Sequence, residues 1–254
     1  MSIAEKLQTI AENEQRVFDA GYAKGQAEGG DTSTAYDEGF EAGKKAEYDA
    51  FWGFYQLNGE RGTLDFFFAG NGWSNNCFPP KYDMKPVRAN SMFVMTGITG
   101  DLVELLNSRG VALDFSNCTM VHQLFANANG ITRIGVMDFS KVTYGSQWFI
   151  NTKKLVTIDK LIVSETTVTP SSAFESCEAL INLTVEGVID KNGWNLKWST
   201  KLSKASITSI INALSTTTSG LTVTLSKAAK EAAFTADEWE ALEQTKKNWT
   251  ISLV

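Results

Sequence analysis

The sequence predicts an α/β solenoid of stacked parallel strands, with a helical N-terminal segment and atypical caps. Three observations carry this expectation. Phe125, Phe149 and Phe174 lie 24 and 25 residues apart, and Ile131, Leu155 and Leu180 repeat both spacings, as do Ile134, Ile158 and Leu183. Ahead of them, Leu113-Asp114-Phe115, Met137-Asp138-Phe139 and Leu161-Ile162-Val163 recur every 24 residues. Each unit therefore reads as a short strand, a turn, an F-x-x-[ACT]-x-x-[IL] segment and a return to the next strand. A fixed period of this size marks units that cannot bury their apolar faces alone and must stack on their neighbours.

Taken in order, residues 1–30 read as an N-terminal helix. Ile3, Leu7, Ile10, Val17 and Gly21 fall on heptad-like steps that Glu14 interrupts. This spacing suits a short coiled coil or a single amphipathic helix packed on another surface. In either case Ile3, Leu7, Ile10 and Val17 are the candidate oligomerisation or anchoring residues. A break at Gly29-Gly30-Asp31-Thr32-Ser33-Thr34 leads into residues 31–58, a linking helix rich in Glu, Ala and Lys. Residues 59–110 read as an aromatic-rich N-terminal cap. The stretch 48–82 holds 11 of the chain's 28 aromatic residues, and large rings supply much apolar area for closing a first unit.

Residues 111–190 form the repeat core, and residues 191–254 hold degenerate repeats and a closing strand. Thr184-Val185-Glu186, Trp194-Asn195-Leu196, Thr222-Val223-Thr224-Leu225 and Thr250-Ile251-Ser252-Leu253 read as further strands. Ser203 opens a helix carrying Ile207, Ile210, Ile211 and Leu214 at helical spacing. Thr235-Ala-Asp-Glu238 is a capping box, in which two orphan donors are satisfied reciprocally. The last strand, ending at Val254, is expected to be ordered.

Composition narrows the function. A net charge of −6 with scattered Lys and Arg argues against nucleic-acid binding, which needs a clustered basic surface. Short pairs such as Lys153-Lys154 and Lys246-Lys247 read as solvated charge. Cys77, Cys118 and Cys177 form neither a metal-ligand pattern nor a disulfide framework, and Cys177 reads as a small buried hydrophobe. No apolar run is long enough for a membrane span, and the N-terminus lacks the pattern of a secretory signal. His122, the one histidine, has no motif placing a nucleophile beside it and reads as structural or surface. No cofactor, metal or catalytic residue is expected, and the chain reads as a non-enzyme.

Two candidate binding surfaces remain. If Leu113, Met137 and Leu161 point inward, strand alternation turns Asp114, Asp138 and Ile162 outward. Ser116, Ser140 and Ser164 then share that face at equal 24-residue spacing. Neighbouring parallel strands lie about 4.8 Å apart, so Asp114 and Asp138 would be adjacent like charges. They read either as hydrated surface aspartates or as part of a polar, ligand-facing ladder. The alternative surface is a stacking platform for sugars, with Trp73 in Gly70-Asn71-Gly72-Trp73 as the candidate.

The unit Phe174-Glu-Ser-Cys177-Glu-Ala-Leu180, followed by Leu183, resembles the BspA-type leucine-rich repeat, with Ala128 and Thr152 standing where the pattern has Cys. Other segments are similar to leucine-rich-repeat proteins encoded by phages and prophages of Gram-positive bacteria. They include Tyr36-Asp-Glu-Gly-Phe-Glu-Ala-Gly-Lys-Lys-Ala-Glu-Tyr-Asp-Ala-Phe-Trp52, Phe68-Ala-Gly-Asn-Gly-Trp73 and Pro80-Lys-Tyr-Asp-Met84. The C-terminal part adds Ile207-Thr-Ser-Ile-Ile-Asn-Ala-Leu214 and Asn248-Trp-Thr-Ile-Ser-Leu-Val254. The resemblance implies leucine-rich-repeat-like stacking and a virion-associated structural or binding role in the tail or in host attachment. The expected partners are other virion proteins through the N-terminal helix, further copies of the chain, and a host surface glycan or protein. A capsid decoration or head-fibre protein and a bacterial cell-surface adhesin are the alternatives; the adhesin would need an export signal. A glycan-active enzyme would need a paired acid and base in one cleft.

Overall fold

The computed structural model describes residues 64–65, 67–71, 73–75 and 83–254. All lie in Arg61–Val254, the second of two units into which the chain divides. The expected helices of 1–30 and 31–58, with Ile3, Leu7, Ile10 and Val17, fall outside the described residues.

The strands are β1 (Asp83–Met84), β2 (Gly100–Asp101), β3 (Ala112–Leu113), β4 (Ile131–Asp138), β5 (Thr157–Val163), β6 (Asn182–Gly187), β7 (Asn195–Leu196), β8 (Leu221–Leu225) and β9 (Trp249–Leu253). The helices are α1 (Leu102–Arg109), α2 (Lys204–Ala213), α3 (Lys227–Ala233) and α4 (Ala236–Glu243), followed by a 3-10 turn at Gln244–Lys246. Three sheets form, ordered β1-β3, β2-β4-β5-β6 and β7-β8-β9, and their strand pairs are all parallel.

The register follows the sequence repeat. Ile134 pairs with Ile158 and Ile158 with Leu183, while Met137 pairs with Leu161 and Leu161 with Val185. All six side chains are buried. Buried residues in β4 and β5 are three apart at Ile134 and Met137 and at Ile158 and Leu161, so strict alternation breaks there. The inward set expected at Leu113, Met137 and Leu161 changes in the first unit: Leu113 is half-buried, and Phe115 is the core residue.

Beside the strands runs a column of buried rings. Phe125 stacks on Phe149 at 5.8 Å and 11° between planes, and Phe149 on Phe174 at 5.5 Å and 26°. The column extends beyond the three units read from the sequence. Phe93 stacks on Phe125 at 4.8 Å and Phe68 on Phe93 at 5.1 Å, while Trp194 lies 5.9 Å from Phe174 at the other end. The segment expected only as a cap thus contributes two rings. Phe93 and Phe125 are 32 residues apart, 8 more than the 24-residue spacing, and α1 is 8 residues long. Asp101 caps that helix by accepting from the Val103 and Glu104 amides. It also holds Arg133, which grips Asp159 with two further hydrogen bonds, so one guanidinium ties together β2, β4 and β5.

A second ladder runs along the phenylalanine turns. The amides of Gln123, Phe125 and Asn127 donate to Ser146, Trp148 and Ile150 in the next unit. Those of Gln147, Phe149 and Asn151 donate to Ser171, Ala173 and Glu175. The residues two before and two after each ring are at positive φ. These are Ser91 and Met95, Gln123 and Asn127, Gln147 and Asn151, and Ser172 and Ser176. Non-glycine residues rarely adopt this conformation. Side chains reinforce the ladder: Gln123 donates to Gln147, and Asn151 to Asn127.

The small position three residues after each ring carries a donor where it can. The Thr152 hydroxyl donates to the Phe125 carbonyl at 2.8 Å, and the Cys177 thiol makes the corresponding contact with Phe149 at 3.0 Å. Thr152 therefore replaces the thiol as a donor as well as in size, whereas Ala128 fills the slot only by packing. Close stacking also demands glycine at position 145. A Cβ there would stand 1.6 Å from the Val121 carbonyl oxygen, and φ is +131°.

The C-terminal part combines expected and unexpected features. Ser203 caps α2 by accepting from Ser206, and the Thr235–Glu238 capping box is present. Lys246, grouped with solvated charge in the sequence, is buried. Its ammonium donates to the Asn212 carbonyl at 3.1 Å and to that of Leu214, so it caps the end of α2. Burial pulls its pKa below the usual lysine value, and charge-assisted bonds to the last carbonyls of the helix offset part of that cost.

Candidate functional site

The candidate aspartates and serines lie at the strand ends, where their polar atoms are committed to turns. Asp114 Oδ1 accepts from the Ser116 amide at 2.9 Å. Asp138 Oδ1 accepts from the Ser140 amide at 3.0 Å and the Ser140 hydroxyl at 2.6 Å. Ser164, whose unit has Ile162 in place of the aspartate, donates to the Ser140 carbonyl. Asp114, Ser116, Asp138, Ser140 and Ser164 are all half-buried. Hydrogen bonds from the Ser116 amide and hydroxyl hold the Asp114 carboxyl below its ordinary range, with Lys85 and Lys141 adding to the effect. These residues are strand-end turn formers, and the adjacency expected of Asp114 and Asp138 is not one of paired strands, because β3 pairs with β1 whereas β4 pairs with β2 and β5.

Trp73 is half-buried and engaged. Its ring stacks on Phe67 at 6.3 Å and meets Phe68 edge-on at 5.5 Å. It extends the ring column at its N-terminal end.

His122 Nδ1 stands 3.1 Å from Ser146 Oγ, a contact that no sequence motif signalled. Both residues lie three before a column ring, as do Asn90 and Ser171. Asn90 Oδ1 accepts from the His122 amide, so the pair belongs to a polar row between stacked turns. A nucleophile–base pair also requires a third group to orient the base, and among the described residues no carboxylate bonds to His122. Cys118 and Cys177 are buried; burial pushes their thiols up to about 11 and about 12, which suppresses the thiolate needed for reactivity or metal binding. Among the described residues, no His/Cys/Asp/Glu cluster could hold a metal ion, and no helix is long and apolar enough to cross a membrane.

A further candidate site was not singled out in the sequence. A surface hollow of about 150 Å³ is lined by Ser172, Glu175, Asn195, Lys197 and Trp198. Its origin is a shortened unit. Leu196, Ser199 and Leu202 make the same turn bonds as Phe174, Cys177 and Leu180: Ser199 N donates to Leu196 O and Leu202 N to Ser199 O, as Cys177 N does to Phe174 O and Leu180 N to Cys177 O. They therefore form another repeat, but 22 residues after its predecessor instead of 24 or 25.

With those residues missing, the turn ladder stops. Among the described residues no acceptor takes the Ser172, Phe174 or Ser176 amides, whose equivalents in the preceding unit donate to Ser171, Ala173 and Glu175. The hollow opens where the ladder lapses. Trp198 occupies the place of Asn127, Asn151 and Ser176 in earlier units and is 42% exposed. The Lys197 ammonium lies 5.3 Å from its ring centroid. Asn195 Oδ1 accepts from the Lys197 amide, which leaves its side-chain NH2 as the group available to a ligand. The signal in the sequence was Leu196-Lys-Trp-Ser199-Thr-Lys-Leu202, a repeat with Leu in place of Phe.

No family model matches this chain, and comparison with curated proteins and with solved structures likewise found no match.

Proposed function

We propose that the chain is a non-enzymatic, virion-associated structural and binding protein. Its leucine-rich-repeat-like solenoid presents a surface for host attachment, and its N-terminal segment joins it to other virion proteins or to further copies of itself. One observation carries the binding part of this reading. Parallel backbone ladders and a continuous ring column, from Phe68 to Trp194, hold the exposed side chains of successive units at fixed spacing. Stacked repeats use such surfaces for recognition, and a rigid scaffold lowers the ordering cost of binding.

Placement on a phage particle rests on the resemblance of the repeat and its flanking segments to leucine-rich-repeat proteins of phages. It is tested by labelling intact particles with antibody to this chain and imaging them. Label at the tail is the expected result, and label on the capsid would identify a decoration or head-fibre protein instead. Particles without label, together with label on the bacterial envelope, would overturn the virion reading in favour of a cell-surface adhesin.

A further inference from the structure

We propose that the hollow at Trp198 is a subsite for one neutral pyranose ring of a surface polysaccharide. The inference deepens the attachment reading above, on which it rests, by assigning a site and a ligand class.

The chemistry of the lining selects the ligand. Trp198 is 42% exposed at the surface beside a polar wall, with the Lys197 ammonium over its ring at 5.3 Å from the centroid. The apolar body of an indole invites a ligand with a flat hydrocarbon face, and its neighbours require the same ligand to carry a hydrogen-bonding rim. A pyranose has both, with axial C–H groups on one face and hydroxyls around its edge.

The wall supplies donors and acceptors together. Glu175 contributes a carboxylate that makes no ion pair among the described residues. Lys197 contributes an ammonium, and Asn195 its side-chain NH2, because its oxygen is taken by the Lys197 amide. Ser172 can donate or accept. In preceding units the amides equivalent to Ser172 and Ser176 are directed at the next turn; here that next turn is Asn195–Trp198, and no described acceptor meets them. One acidic and one basic side chain cancel, so neither a phosphate nor a cation gains from net charge. A hydroxyl uses both, since it accepts from the ammonium and donates to the carboxylate.

The repeat architecture explains how this unit forms such a site. Elsewhere the corresponding side chains are occupied with each other: Asn151 donates to Asn127, and the amides between units are paired. The 22-residue spacing before Leu196 breaks that pairing, and Trp198 replaces a small polar residue where the break occurs. A single ring on one tryptophan should bind with a Kd of about 1 mM; several copies on one particle would raise the avidity of polymer binding.

The test uses the full chain with three probes: methyl β-glucopyranoside, methyl β-galactopyranoside and the methyl β-glycoside of N-acetylglucosamine. Saturation-transfer NMR reads contact and tryptophan fluorescence reads affinity. The expected result is transfer to the ring C–H protons of at least one probe. Trp198→Ala should weaken that binding at least tenfold, Asn195→Ala by a smaller factor, and Tyr144→Ala, at another exposed ring, not at all. Trp198→Phe should retain part of the affinity, which guards against a folding defect in the alanine variant. No transfer from any probe would overturn the proposal. So would transfer unaffected by Trp198→Ala, or fluorescence that responds to inorganic phosphate and to no pyranoside. Failure here leaves the particle-labelling result untouched, and failure of that labelling leaves sugar binding by the isolated chain untouched.

Discussion

The Ser206 hydroxyl stands 2.9 Å from the Leu183 amide and accepts its hydrogen bond, while donating to the Ile181 carbonyl at 3.0 Å. Leu183 lies on β6, the last strand of its sheet, and Ser206 lies on α2. One turn on, Ser209 accepts from the Val185 amide at 2.6 Å. A helix thus takes the position of the next strand and answers the backbone of β6 with side-chain hydroxyls. Unpaired strand edges template further pairing, and here two serines close one.

Ser206→Ala therefore removes the acceptor of a buried amide and should cost about 1–3 kcal/mol. Ser209→Ala, at a less buried position, should cost less. Urea denaturation of each variant measures this. Equal stability of Ser206→Ala and the parent would show that α2 covers β6 by packing alone.

The ring column predicts unequal costs along its length. Phe149 is fully buried between Phe125 and Phe174, so Phe149→Ala should cost about 3–5 kcal/mol, as expected for a large cavity in a core. Trp73, half-buried at the N-terminal end, should lose less on replacement by alanine. Chemical denaturation orders the two, and a smaller loss at Phe149 would mean that the column does not hold the units together.

How much of this was legible follows from spacing. Phe125, Phe149 and Phe174 were visible because their spacings differ by a single residue. Phe93 was hidden by α1, which adds one helix between it and Phe125, and the Leu196 unit by its shortened period and its leucine. The site was illegible for the same reason, since it is made by the repeat that departs from the period. Burial of Lys246 was illegible too, because only the fold brings it to the end of α2, 32 residues earlier at Leu214. Asp114 and Asp138 were legible as equivalent repeat positions, but their turn hydrogen bonds depend on where each strand ends.

Met95 is 52% exposed and sits at φ 50°, in the row that continues with Asn127 and Asn151. Asparagine tolerates this conformation better than methionine, which carries part of the left-handed cost of about 1–2 kcal/mol. Met95→Asn should raise stability by about 0.5 kcal/mol and can extend the side-chain ladder formed by Asn127 and Asn151. Thermal melting checks the sign, and a lower melting temperature would show that the Met95 side chain contributes packing that exceeds the backbone strain.

Cys118 and Cys177 should be silent toward thiol reagents in the native chain at about pH 8 and react after unfolding. Peptide mapping of labelled native protein reads this directly. Both folded thiols titrate above the unfolded value of 9.0, at about 11 and about 12. Their protonated forms therefore contribute stability that is fully present below pH 9.0 and lost as pH rises toward those values. The slope should reach about 1.4 kcal/mol per pH unit for each thiol, and Cys177→Ser should flatten it. An unchanged slope in that variant would place the alkaline sensitivity elsewhere.

Asp114 and Asp138 test whether the strand-end row is structural. Each carboxylate accepts from a serine two residues on, so alanine at either position should cost about 1 kcal/mol, in the range of a lost helix cap. Asparagine keeps an acceptor at the same place and should recover most of that loss. Acid supplies a second reading for Asp114, whose pKa is lowered in the folded chain from 3.8. Its contribution is present above pH 3.8 and disappears as pH falls through the lower folded value. Asp114→Asn should remove that acid-sensitive component, so that it lowers stability near neutral pH and narrows the gap to the parent as pH falls. Urea denaturation at neutral and acidic pH separates the two effects. An Asp138→Asn variant that loses as much stability as Asp138→Ala would show that the charge, and not the turn geometry, is what β4 requires at its end.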